Sequence, residues 1–327
     1  MVSRYIAFKL GAWKPLAAFY NVTLRCSLRC SFCNIWRRSG YKEASHEDAV
    51  RIVKKIGDAG IPGLGFSGGE PLLREDLIEL AFEAKDYGMI TSVNTNGMLV
   101  NEGNAKKLSK AFDYIIVSLD DIGLLHDEVR GIHGVYDRAI EAITTLKRYG
   151  ATIGINTVVT RDNIRRITRL WRSLNDKVDF FTIQPVNPPQ MIDIELSSKL
   201  IEELYEFKRR VNPSIPLPKS YIDGMARYMS GEVYKICDAG RLYIAIQPDG
   251  ALIPCSVRDD VILGNILEED LEIIIDAKRD EIEHTIENCS GCWLTCTTGI
   301  SLTSREPVEI INSYNRIRLK ASKTTTS

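Results

Sequence analysis

Between Tyr20 and Gln184 the chain alternates short β-rich runs with stretches whose apolar residues recur every three or four positions. A period of about 2 predicts strands and one of about 3.6 predicts amphipathic helices. Strands are expected at Asn21–Leu24, Gly63–Phe66, Met89–Asn94, Tyr114–Leu119, Thr152–Val159 and Phe180–Gln184. Helices are expected between them at Glu47–Asp58, Arg74–Tyr87, Glu102–Leu108, Val135–Tyr149 and Ile164–Leu174. Within Val135–Tyr149, for example, Ile140, Ile143 and Leu146 fall on one helical face. Repeated β-then-α units predict a parallel sheet with right-handed crossovers, either doubly wound or rolled into a partial barrel. Both architectures place ligands at the carboxyl ends of the strands.

After Gln184 the pattern breaks at Pro185, Pro188 and Pro189. Leu196–Arg210 reads as a helix and Asn212–Pro218 is proline-rich. Leu242–Gln247 and Ala251–Pro254 flank Pro248-Asp249-Gly250, the signature of a β-hairpin. Leu271–Ile286 is expected to be helical, and the polar end, Lys320–Ser327, disordered.

Composition narrows the function classes. The chain has 327 residues, 44% hydrophobic and 26% charged, with a formal net charge of -1. That is ordinary globular composition, with no basic surplus for nucleic acid. Arg4 and Lys9 interrupt the apolar residues of the first ten positions, which argues against a signal peptide. No apolar run is long enough for a transmembrane helix, so the expected compartment is the cytoplasm. The eight cysteines fall in two tight groups, at 26–33 and 237–296, and such clustering suits metal ligation better than disulfides.

Cys26-Ser-Leu-Arg-Cys30-Ser-Phe-Cys33 is a C-x3-C-x2-C motif just after the first strand. Three thiolates suit soft iron or zinc. A 4Fe–4S cube with three protein ligands leaves one iron open for a substrate or cofactor. The competing reading is a zinc site, for which the nearest histidine is His46, thirteen residues beyond Cys33. Phe66-Ser67-Gly68-Gly69-Glu70-Pro71 ends the second strand. Adjacent glycines let a backbone come close to a ligand, and Glu70 can accept hydrogen bonds from an ammonium group.

Taken together, Cys26, Cys30, Cys33 and Gly68-Gly69-Glu70-Pro71 resemble the radical SAM superfamily over about residues 20–190. The resemblance implies a partial (β/α)6 TIM-type barrel. It implies that the open iron chelates S-adenosylmethionine (SAM), whose reductive cleavage gives a 5′-deoxyadenosyl radical that removes a substrate hydrogen atom. By the same resemblance Gly68, Gly69 and Glu70 bind the methionine amino group, and Thr95-Asn96-Gly97 places Asn96 beside the cofactor. Ser118-Leu119-Asp120 resembles the family's Ser-x-Asp-Gly, with Asp121 replacing the glycine and leaving the local backbone open. Ser118 is a candidate contact for methionine or ribose, or a turn hydroxyl. Arg130, in His126-Asp127-Glu128-Val129-Arg130-Gly131, is a candidate partner for the methionine carboxylate, or a surface charge. Phe32 either shields cluster and adenine or belongs to the core. Asn156, Thr157 and Gln184 are weaker candidates for the barrel mouth.

Cys237, twelve residues, Gly250, four residues and Cys255 precede Cys289-Ser-Gly-Cys292 and Cys296. This spacing resembles the auxiliary-cluster extension of radical SAM enzymes, SPASM in its full form and Twitch in its shorter one. The full form uses about seven cysteines for two clusters. Five are present here, so one auxiliary 4Fe–4S cluster on Cys237, Cys255, Cys289 and Cys292 is the economical expectation. Cys296 is then a buried spare, a replacement for Cys292 or a reacting thiol. A tetrahedral zinc site accepts the same four thiolates. The GTP-rearranging enzyme of molybdenum-cofactor synthesis is disfavoured, because its C-terminal cysteines run in the opposite order.

The organisation expected is an N-terminal extension (1–19), the barrel (20–190), a helical connection (191–236), the auxiliary cluster subdomain (237–300) and a tail (301–327). The favoured function is modification of a peptide or protein, with a separate recognition partner because residues 1–19 are too short for a recognition domain. The alternative is a small-molecule dehydrogenase or an enzyme of cofactor, haem or lipid synthesis. A non-catalytic zinc scaffold leaves the first motifs unexplained. The implied electron donor is a flavodoxin or ferredoxin.

Overall fold

The computed structural model describes residues 2–38, 40–211, 214–232 and 235–308, with 311, 312, 315 and 317. Its centre is a nine-stranded sheet: β1 (Ala17–Thr23), β2 (Gly63–Gly68), β3 (Ile90–Thr95), β4 (Tyr114–Ser118), β5 (Ile153–Val159), β6 (Phe180–Pro185), β7 (Tyr243–Ile246), β8 (Ala251–Ile253) and β9 (Gly264–Asn265). The order is β6-β5-β4-β3-β2-β1-β7-β8-β9. The strands from β6 to β7 pair in parallel, and β8 and β9 add antiparallel. The sheet stays open between β6 and β9, giving the partial barrel the sequence predicts.

Helices α1 (Val2–Lys9), α2 (His46–Asp58), α3 (Leu77–Asp86), α4 (Glu102–Ala111), α5 (Leu124–Arg130), α6 (Val135–Arg148) and α7 (Ile167–Leu174) accompany the first five strands. In α2 the Ser45 hydroxyl accepts the Asp48 N–H at 3.1 Å, capping the first turn. Ala49, Ile52, Val53 and Ile56 then form one buried stripe. Each strand turns one row of apolar residues to the helices, such as Tyr20, Val22, Phe66, Val93, Val117, Ile155 and Ile183. The opposite face mixes small and polar residues with Phe19, Tyr114, Ile116 and Phe180.

Beyond β6 run α8 (Ile194–Arg210), α9 (Lys219–Met229), α10 (Leu271–Ala277) and α11 (Arg279–Glu287). Several boundaries depart from the periodicity. β1 starts at Ala17, because β7 pairs along it and the Leu242 carbonyl accepts the Leu16 N–H at 2.7 Å. The helix expected from Arg74 starts at Leu77; Pro71–Leu73 is a 3-10 turn capped by Glu70, and Arg74 is drawn inward to Asp76 at 2.6 Å. Leu271–Ile286 breaks at Lys278 into α10 and α11. Helices α1, α5 and α9 carry no predicted periodicity. Gly224 lowers the helix propensity of α9, yet a Cβ there would stand 2.3 Å from the Trp293 ring, so only glycine admits that packing. The hairpin joins the barrel sheet through β7 beside β1. The tail expected to be disordered, Lys320–Ser327, lies outside the described residues.

Candidate active site and cluster region

The Cys26–Cys33 loop follows β1 and is fastened from two sides. From β2, Gly69 N–H donates to the Thr23 carbonyl and Glu70 N–H to the Arg25 carbonyl, both at 2.8 Å. From α5, the Arg130 and Val129 carbonyls accept the N–H groups of Arg29 at 3.1 Å and Ser31 at 2.9 Å. Leu28 anchors the loop against Val135. Cys30 is buried, and Cys26 and Cys33 are half-buried. Burial pushes the Cys26 thiol up to about 11, and the charges of Glu70, Cys30 and Cys33 push the same way. Thiols in such a group become stable thiolates when a metal offsets their charge. Among the described residues, no group of three or more potential ligands is gathered closely enough to hold a metal ion.

The glycine pair has a structural reason beyond ligand approach. Gly68 has φ 122°, and a Cβ on it would lie 2.0 Å from the Thr23 oxygen. A Cβ on Gly69 would lie 2.1 Å from the Arg25 oxygen. The side that a side chain would occupy is filled by the loop itself. Glu70 is 1% exposed, and its carboxylate accepts Thr95 Oγ1 at 2.8 Å, Asn96 N–H at 2.7 Å and Leu72 N–H at 3.2 Å. Burial raises its pKa against these three donors. It ties the ends of β2 and β3 together. Asn96 also reaches Ser27 Oγ in the cysteine loop at 3.5 Å.

Ser118 ends β4, half-buried and level with Asn156. Arg130 lies in the interior, not at the surface: its Nε and Nη2 bind Asp120 Oδ2, each at 2.7 Å. That carboxylate takes the place of the methionine carboxylate expected as its partner. Arg130 also stands over the Phe32 ring at 5.3 Å. Phe32 is half-buried beside the cysteine loop and so is not a plain core residue. His126 Nδ1 accepts the Asp120 N–H at 3.1 Å. Asp121, where the family has glycine, pairs with Arg166 at 2.6 Å, and among the described residues no residue other than glycine has positive φ. Asp120 and His126 form a buried network with Arg130, and Asp121 a separate pair with Arg166; sequence reasoning left Asp120, Asp121 and His126 without roles.

The second group gathers around the β7–β8 hairpin and the segment after α11. Cys237 Sγ lies 3.3 Å from Tyr243 Oη, and Cys292 Sγ 2.9 Å from Thr297 Oγ1. Electrostatically, Cys237 faces Cys289, while Cys255 faces Cys237 and Cys292. Cys296 faces Cys292 and Cys255 and is pushed up to about 12 by burial, as is Cys255. All five cysteines therefore share one neighbourhood, Cys296 included.

The radical SAM superfamily matches residues 20–173, and SPASM, an iron–sulfur cluster-binding domain, matches residues 237–293. The chain belongs to the radical SAM superfamily. The radical SAM and SPASM domains imply a SAM-binding 4Fe–4S cluster and auxiliary iron–sulfur binding, respectively. The chain is 33% identical over 167 residues to Fe-coproporphyrin III synthase of Methanosarcina barkeri, covering 50% of this chain and 42% of that enzyme. It is 28% identical over 269 residues to PqqA peptide cyclase of Granulibacter bethesdensis, covering 75% and 68%. Streptococcus suis SuiB bound to its precursor peptide SuiA has the same fold, with TM-score 0.69 and 19% identity over 87% of this chain and 69% of that one. The chain spans less than half the length of the first of these relatives.

In this radical SAM fold the inner wall of the open barrel is polar toward the carboxyl ends of the strands, while Phe19, Tyr114, Ile116 and Phe180 share that face nearer the strand starts. Asn21, Ser67, Asn94, Ser118, Asn156 and Thr182 lie on the strand face opposite the helices, mostly half-buried. Asn156 accepts Thr182 Oγ1 at 3.1 Å on that wall. Thr157 faces the other way: it is fully buried, donates to the Leu119 carbonyl at 2.8 Å and accepts Trp171 Nε1 at 3.0 Å. The barrel-mouth expectation for Thr157 is therefore corrected by strand alternation. Gln184 Oε1 accepts the Thr295 N–H at 3.2 Å and Oγ1 at 3.0 Å, joining the sixth strand to the second cysteine group. Among the described residues no helix is long and apolar enough to cross a membrane.

Proposed function

We propose that this chain is a radical SAM enzyme that modifies a peptide or protein. Cys26, Cys30 and Cys33 hold the cluster that binds SAM, and Cys237, Cys255, Cys289 and Cys292 hold one auxiliary cluster, with Cys296 adjoining it. When bound, the first cluster and SAM supply a 5′-deoxyadenosyl radical for hydrogen abstraction. Gly68, Gly69, Glu70, Asn96 and Ser118 surround the methionine end of SAM. Gln184 and Thr295 hold the auxiliary region against the barrel mouth, where the substrate is exposed to the radical.

The observation that carries the peptide reading is the row of amide and hydroxyl side chains toward the carboxyl end of the inner wall, Asn94, Ser118, Asn156 and Thr182, whose donors and acceptors match those of a peptide backbone. The peptide cyclase likeness, extending over 75% of the chain, supports it. The likeness to Fe-coproporphyrin III synthase favours a second reading, an iron–porphyrin-type small molecule. A flavodoxin or ferredoxin in the cytoplasm serves as the electron donor.

The test is anaerobic incubation of reconstituted protein with SAM and dithionite, with either short peptides encoded beside the gene or carboxylate-bearing iron porphyrins and their iron tetrapyrrole precursors. A SAM-dependent mass change in a peptide, with 5′-deoxyadenosine formed, supports the first reading. Turnover of a tetrapyrrole alone supports the second. Iron-loaded protein that forms no 5′-deoxyadenosine in any mixture overturns the activity.

A further inference from the structure

Arg130 is 7% exposed and held by three contacts. Asp120 Oδ2 takes its Nε and Nη2 at 2.7 Å, Phe32 lies under its guanidinium, and its Nη1 points to Cys30 Sγ at 3.8 Å. Asp120 is itself fixed. Its Oδ1 accepts the Val158 N–H at 2.9 Å, its N–H donates to His126, and its carbonyl accepts Asn163 Nδ2 at 3.0 Å. The helix carrying Arg130 is bonded to the cysteine loop through Arg29 and Ser31. Gly131 permits that approach, since a Cβ there would stand 2.7 Å from the Arg29 oxygen. Cation, carboxylate and thiol thus belong to one rigid unit.

A buried ion pair is a poor stabilising device, because desolvation offsets most of its attraction. Its placement against a ligand sulfur gives it another use. Hydrogen bonds to the sulfurs and nearby charge set the reduction potential of an iron–sulfur cluster. Groups behind the ligands also orient them.

We propose that Arg130 is a positioning residue for the first iron–sulfur cluster: anchored by Asp120, it donates a charged hydrogen bond to the Cys30 thiolate and raises the potential at which that cluster accepts its electron. This rests on Cys26, Cys30 and Cys33 being the ligands of that cluster. An added electron makes the cluster and its thiolates more negative, so a fixed donor stabilises the reduced state more than the oxidised one.

The experiment is a dithionite titration followed by electron paramagnetic resonance on the full chain, reconstituted anaerobically. The first cluster is the one whose signal changes on adding SAM, and the auxiliary cluster is the internal reference. Arg130→Gln shifts the first midpoint down. Asp120→Glu keeps the opposing charge but displaces the anchor by a methylene, and also shifts it down. The auxiliary midpoint stays where it is in both. Midpoints equal to wild type in iron-loaded variants overturn the proposal. An unshifted Asp120→Glu overturns it even where Arg130→Gln fails to hold iron. Loss of iron from both variants also counts against it, since it marks the pair as structural only. A wild-type protein with no SAM-responsive cluster overturns the cluster assignment itself, whatever Arg130 does.

Discussion

His126 makes the stability of this protein depend on pH in a calculable way. Its ring is fully buried, and because Nδ1 accepts the Asp120 N–H the proton resides on Nε2. Among the described residues, Nε2 has no hydrogen-bond partner. Burial first, and then the neighbouring Arg130 charge, lower the pKa from 6.5 to about 3, against a small opposing effect of Asp127. The folded state therefore binds fewer protons than the unfolded chain between these two values. Stability from this group is fully present above the unfolded value of 6.5 and is lost as pH falls toward 3. Integrating from about pH 8 to about pH 5 gives a loss of about 2 kcal/mol. The control is His126→Asn, whose side-chain oxygen replaces Nδ1 as an acceptor and does not titrate. Urea unfolding of both metal-free proteins at the two pH values isolates the contribution. Wild type should lose about 2 kcal/mol more than the variant. Parallel losses, or a larger loss in the variant, would refute the argument that the ring is held neutral.

Gly69→Ala forces a Cβ to within 2.1 Å of the Arg25 oxygen. It should cost about 1–3 kcal/mol and lower iron incorporation at the first site, checked by urea unfolding and iron analysis. Normal iron loading with wild-type stability would show that the loop does not depend on this contact. Cys237→Ala should keep the SAM-responsive cluster, lose the auxiliary iron and impair substrate turnover; full turnover would count against an auxiliary role.

The barrel was legible in the sequence because its helices and outer strand faces alternate cleanly, as with Ile52, Val53 and Ile56 facing Tyr20 and Phe66. The cysteine triplet and Gly68-Gly69-Glu70 were legible because their spacing survives in one dimension. What periodicity cannot carry is pairing between distant segments. Nothing local to Asn21–Leu24 announces that β7, over two hundred residues on, extends that strand back to Ala17. Helix α5, only 7 residues between two glycines, is too short for a periodic signal. The partner of Arg130 illustrates the same limit. Asp120 lies ten residues away and was in view as part of Ser-x-Asp, but burial decides that the two meet. For Thr157, alternation along the strand allowed either face, and the Trp171 indole on the helix side settles it.

The most direct measurement of the central claim pairs iron and sulfide analysis with SAM cleavage, in wild type and Cys30→Ala after anaerobic reconstitution. The account predicts about eight irons per wild-type chain and reductant-dependent formation of 5′-deoxyadenosine. In Cys30→Ala it predicts loss of the first cluster's iron and no 5′-deoxyadenosine. Zinc in place of iron in the wild-type protein, or undiminished 5′-deoxyadenosine from Cys30→Ala, would contradict it.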